Sequence, residues 1–110
     1  MPDPAANTDL RTAMRHPVDY PVLAEHRRHG DIELRIVNIS QNGFLANGKF
    51  VLGQGERVSI RLPVIGQIEA HLLWIDRWRA GFQLERTIRL GDFTRMFVGM
   101  QPQRRFHDRD

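Results

Sequence analysis

The sequence predicts an all-β fold, a small six-stranded antiparallel β-barrel followed by a C-terminal α-helix. Three observations predict it. Apolar residues recur at every second position in several short stretches. Clusters of Gly, Asn, Asp and Pro separate those stretches at close intervals. After Thr87 the apolar spacing changes to three and four, the period of a helix.

The elements follow in order. Val18, Tyr20, Val22 and Ala24 alternate with Asp19, Pro21 and Leu23, a strand that Pro21 confines to an edge or a strand start. Arg28-His29-Gly30-Asp31 reads as a turn. Ile32, Leu34 and Ile36 mark a second strand, and Phe44-Leu45-Ala46 a third after the turn-forming run Asn38 to Gly43. A loop surrounds Phe50-Val51-Leu52. Val58, Ile60 and Leu62 form one strand of a hairpin. The connection Pro63 to Gly66 leads to its partner, in which Ile68, Ala70, Leu72 and Trp74 share one face. Arg77-Trp78-Arg79 makes a turn before a last strand over Ala80 to Leu84. Leu90, Phe93, Phe97 and Met100 then lie on one helix face. Asp92 sits early, where the dipole favours a carboxylate, and Gly99 and Pro102 end the helix. Phe93 and Phe97 are placed to plug one end of the barrel.

These elements divide the chain into a flexible segment 1–16, a barrel 17–86, a helix 87–101 and a charged tail 102–110. A length of 110 residues allows one domain, and a 41% share of hydrophobic residues suits a globular one. The apolar runs are too short to span a bilayer, so no membrane insertion is expected. The polar start MPDPAANTDLR does not resemble a signal peptide. The absence of cysteine fits a reducing cytoplasm.

The chain has fifteen arginines, a single lysine (Lys49) and a net charge of +3. Few groups titrate between the histidines and the arginines, so the high isoelectric point says little about nucleic acid. The preference for arginine says more, because its planar fork suits phosphates and guanine edges and stacks on rings.

Catalysis is not expected. Only Ser40 and Ser59 are serines, and no paired carboxylates are placed for acid–base work. His16, His26, His29, His71 and His107 form no metal-ligand spacing, so no metal and no cofactor are expected. His26 and His29 flank a turn beside Arg27 and Arg28 and read as solvated; His71 reads as exposed on its strand.

Two motifs point to binding. Arg11 and Arg15 stand as RTAMR just before the first strand. Two other RxxxR pairs, Arg57/Arg61 and Arg105/Arg109, fall on an outer strand face and in the tail. Asn38, Ser40 and Gly43 form NISQNG, a [DN]xSxxG match that arises by chance in roughly one such chain in sixty. Asn38 and Ser40 offer short polar side chains, and Gly43 permits close backbone approach. The same residues also suit a plain turn.

RTAMR, with NISQNG beginning twenty-three positions after Arg15, resembles the PilZ domain family. HPVDYPV after the arginines, GFLA after the second motif, Gly55, Val58 to Pro63, Trp74 and RAGFQL extend the likeness over about residues 11–86. Asn42 stands where many members have a second glycine. The resemblance implies a six-stranded barrel that binds cyclic di-GMP. It implies Arg11 and Arg15 as a clamp on phosphate and guanine, with Asn38, Ser40 and Gly43 meeting the ligand from the barrel. It also implies an unidentified effector protein that reads the liganded state. Two alternatives stand beside it: a PilZ-like protein-interaction adaptor that binds no nucleotide, and a small barrel for RNA or single-stranded DNA. Polymeric nucleic acid is not expected. The latter needs aromatics interleaved with basic residues, which only Arg77-Trp78-Arg79 provides.

Overall fold

The structure, a computed structural model, describes residues 14–102. Six strands form a closed antiparallel barrel, and one helix follows. They are β1 (His16–His26), β2 (Gly30–Ile39), β3 (Gly43–Gly48), β4 (Arg57–Leu62), β5 (Gly66–Asp76), β6 (Arg79–Leu84) and α1 (Leu90–Gly99). Around the barrel the order is β1-β2-β3-β6-β5-β4. Among the described residues no helix is long and apolar enough to cross a membrane.

Period-2 patterning places the core. Ala24, Ile32, Leu34, Ile36, Ile60 and Ile68 point inward and are buried, while Asp19, Glu33, Arg35, Arg57 and Arg61 face out. Phe44 and Phe82 stack inside with their ring centres 4.9 Å apart. The seam between β1 and β4 is thin, with Glu25 opposite Ser59 as its one paired position. Carried along the strands, that register sets Pro21 level with Pro63, and neither residue has an N–H to donate. β1 is therefore neither an edge strand nor a strand start at Pro21: the barrel closes on it, and the proline falls mid-strand at the seam.

Helix α1 covers the end of the barrel from which β1 starts. Phe93, Met96 and Met100 are buried and Phe97 packs beside them. The His16 ring lies 5.4 Å from that of Phe93 and 5.3 Å from that of Phe97. At its other end a Cβ on Gly99 would lie 2.9 Å from Pro63, so the helix sits directly against the β4–β5 turn. Asp92 occupies the first turn and pairs with Arg95 at 2.6 Å.

Four details differ from the sequence reading. Leu90 is 65% exposed, because the helix begins at that residue and its inward stripe runs Phe93, Met96, Met100; Ile88, just before it, is buried instead. The β4–β5 connection has three residues, since Gly66 already pairs with Leu62. His71 is half-buried between Arg57 and Gln83 on neighbouring strands. Trp74 does not share the inward face of Ile68, Ala70 and Leu72. Leu72 pairs with Phe82 and Trp74 with Gly81, so Leu73 is an extra residue and the phase reverses after it.

Candidate functional site

The β2–β3 junction carries the motif Asn38 to Gly43. Ser40 is buried, and its hydroxyl accepts the backbone N–H groups of Asn42 and Gly43, each at 3.2 Å. The same hydroxyl donates to the Gly43 carbonyl at 3.3 Å. Ser40 N–H also donates to that carbonyl at 2.8 Å. The turn is fastened to the end of β6 and to the segment after it. Leu84 N–H donates to Asn42 O at 2.8 Å and Ile88 N–H to Gln41 O at 2.9 Å. The Gln41 amide returns a bond to Ile88 O at 2.8 Å, and Thr87 Oγ1 donates to Asn42 Oδ1 at 3.0 Å. Gly43 has a packing reason of its own, because a Cβ there would collide with the Phe82 carbonyl of β6.

Asn38 lies one row away. Its cross-strand partners are Pro17 on β1 and Leu45 on β3; Leu45 faces Gly81 on β6, and Gly81 faces Trp74 on β5. One row therefore crosses five strands: Pro17, Asn38, Leu45, Gly81, Trp74. The Asn38 Oδ1 acceptor is buried without a hydrogen-bond partner among the described residues.

Above this row the outer wall of the barrel holds a cleft of about 410 Å³. Its lining includes Arg15, Ser40, Gly43, Leu45, Trp74 and Gln83. Among the described residues Arg15 is the one charged residue that lines it. An indole wall, amide groups on the rim and a single guanidinium suit a flat polar ring joined to an anion. Among the described residues the lining holds no carboxylate, imidazole or thiol.

Of the five predicted residues, Arg15, Ser40 and Gly43 meet at this cleft. Asn38 sits beside Leu45 on the adjoining row position, and Arg11 lies outside the described residues. Trp74 is the residue that sequence reasoning placed wrongly. The structure shows why: the turn has two residues, Arg77-Trp78, which sets Asp76 against Arg79 and Trp74 against Gly81.

A second cluster joins the β1–β2 turn to the β3–β4 loop. His26 was expected to be solvated and is buried, 5% exposed, because β1 runs two residues beyond Ala24 and keeps its inward phase. His26, His29 and Glu56 bring three ligand-type atoms within 4.8 Å of one another, a grouping that sequence spacing did not show. Imidazole Nδ1 accepts backbone N–H groups from Arg28 at 3.0 Å and His29 at 3.1 Å. The neutral ring therefore carries its proton on Nε2, which donates to Glu56 Oε1 at 3.0 Å. A metal on Nε2 would force a proton onto Nδ1, against two N–H donors. This bonding makes the trio a fastening between two loops. A hydrogen bond from the Gly53 backbone, aided by His26, holds the Glu56 carboxyl below the usual carboxylate range.

Comparison with protein-family models finds no match to the chain, and comparison with curated protein sequences finds no match either.

Proposed function

We propose that the chain is a cyclic di-GMP receptor that works as an adaptor, by binding and without catalysis, in the cytoplasm. One observation carries the reading: Arg15, the Ser40–Gly43 turn and the Trp74 indole line one cleft on the barrel wall. These are a phosphate fork, a close-approach backbone and a stacking surface, the three features that a guanine nucleotide dianion uses. The Asn38 Oδ1, on the same row as Leu45 and Trp74, adds an acceptor that matches the N–H donors of a guanine edge.

In this reading the PilZ resemblance and the cleft support each other. Arg15 takes a phosphate, a guanine stacks on Trp74, and the ligand draws Arg11 against the barrel beside Arg15. The altered surface is then read by an effector protein. Ser40 acts indirectly, since its hydroxyl is engaged in holding the turn. Calorimetric titration of the folded chain with cyclic di-GMP tests the proposal. Saturable heat at tens of micromolar protein is expected. A folded sample that gives none overturns the reading and leaves the nucleotide-independent adaptor in its place.

A further inference from the structure

A different face of the molecule carries the net charge. β1, β3 and β5 all finish at one end of the barrel, so the turn 27–29, the loop 49–56 and the turn 77–78 lie together there. They are tied to one another. Gly48 N–H donates to Trp78 O at 2.8 Å, Gly55 N–H to Leu72 O at 2.8 Å, and His26 bonds Glu56 at 3.0 Å. These connections, with one residue on each side, hold Arg27, Arg28, Lys49, Arg57, Arg77 and Arg79 against Glu56 and Asp76. Among the described residues that leaves six cationic and seven acidic side chains elsewhere, so their positive excess sits at this end. Glu56 is already engaged by His26 and by Arg28 at 3.5 Å.

The same end exposes apolar side chains. Val51 and Trp78 are each 61% exposed and Ile75 38%. Trp78 stands at a turn tip, in a strained two-residue connection whose first residue, Arg77, has φ +62°. Arginines around an exposed indole and two aliphatic side chains are the composition of a bilayer-surface site. The guanidinium groups meet lipid phosphates while the indole and aliphatic groups enter the headgroup region.

We propose that this end of the barrel rests on the surface of an anionic lipid bilayer, without spanning it, through Trp78, Val51 and the surrounding cations. Lipid is favoured over single-stranded nucleic acid because Val51 and Ile75 offer aliphatic surface, which acyl chains accept and stacked bases do not use. The site lies apart from the nucleotide cleft and stands whether or not cyclic di-GMP binds.

The test is sedimentation of the full chain with vesicles of phosphatidylcholine alone and of phosphatidylcholine mixed with phosphatidylglycerol. The chain is expected to sediment with the mixed vesicles only, with a blue shift of tryptophan emission. Lys49→Gln, Arg77→Gln and Arg79→Gln are each expected to lower partitioning about fivefold. Trp78→Ser is expected to remove most of the blue shift, with an unchanged circular dichroism spectrum. Equal sedimentation with both vesicle types, or with neither, overturns the proposal. So does unchanged partitioning of the three charge variants. Tighter retention by a single-stranded oligonucleotide than by the mixed vesicles at the same salt also overturns it, and assigns this end to nucleic acid.

Discussion

The indole of Trp74 covers Gly81, so close that a Cβ on Gly81 would fall 2.6 Å from Trp74 Cε2. The glycine on β6 leaves the space that the aromatic ring on β5 fills, a cross-strand pairing in which each residue explains the other. It sets the indole as a wall of the cleft on the outside of the barrel. Trp74→Ala is therefore expected to weaken cyclic di-GMP binding by about 1–3 kcal/mol, the usual loss for a base-stacking aromatic. Gly81→Ala is expected to do the same from the other side, by pushing the ring away while the barrel stays folded. Calorimetry gives the affinity and circular dichroism checks the fold; a Gly81→Ala variant of unchanged affinity refutes the stacking role.

Among the described residues Arg15 is the one charge in the lining of that cleft, and it is exposed, so its loss leaves no buried group unpaired. Arg15→Ala is expected to keep the melting temperature and to lose about 1.5–3 kcal/mol of ligand binding, the range for a hydrogen bond to a charged group. Arg15→Lys is expected to recover part of that loss, because it restores the charge without the planar fork. Titration of the two variants side by side reads the difference.

Ser40 and Gly43 behave differently, although the sequence motif groups them with Arg15. Removing the Ser40 hydroxyl leaves two backbone N–H groups in a half-buried turn without their acceptor. Ser40→Ala is expected to cost about 1–3 kcal/mol of stability. Gly43→Ala forces a methyl group onto the Phe82 carbonyl and is expected to cost about 1–3 kcal/mol through backbone displacement. Both losses register in denaturant unfolding before any ligand is added.

The strands were legible because each inward side chain is separated from the next by one outward residue, a pattern that holds from Ile32 to Ile36 and from Val58 to Leu62. It failed where the backbone changes phase. The extra residue Leu73 turns Trp74 outward, and nothing in the local composition marks a bulge. His26 was misread for another reason: its neighbours Arg27 and Arg28 are exposed, yet the alternation that buries Ala24 also buries the residue two beyond it. In the site, the spacing of Arg15, Ser40 and Gly43 could be read along the chain. The row from Pro17 to Trp74 could not, since it exists only once five strands are in register.

Val64 is a strained position. It has φ +69° in the β4–β5 turn, a region that β-branched residues avoid, and its side chain is 55% exposed. Little burial offsets that strain. Val64→Asn is expected to stabilise the fold by about 1 kcal/mol, since asparagine tolerates the left-handed region. For a domain near this size the gain corresponds to about 4–8 °C in Tm. A melting curve that does not move upward refutes the strain argument.

The acid side of the stability profile falls partly to Glu56. Its folded carboxyl titrates below the usual value of 4.5, held down first by the Gly53 backbone bond and then by His26 and Arg28. A depressed folded pKa means that the ionised group favours the folded state. The contribution is complete above the unfolded value and is lost as pH falls through the folded one. Glu56→Gln keeps the size of the side chain but removes the charge. Wild type is expected to need more urea than Glu56→Gln at pH values well above 4.5. The two midpoints are expected to converge as the carboxyl protonates, because the variant has no such step. Urea midpoints measured across that range check it, and a constant gap between the curves overturns the assignment of this titration to Glu56.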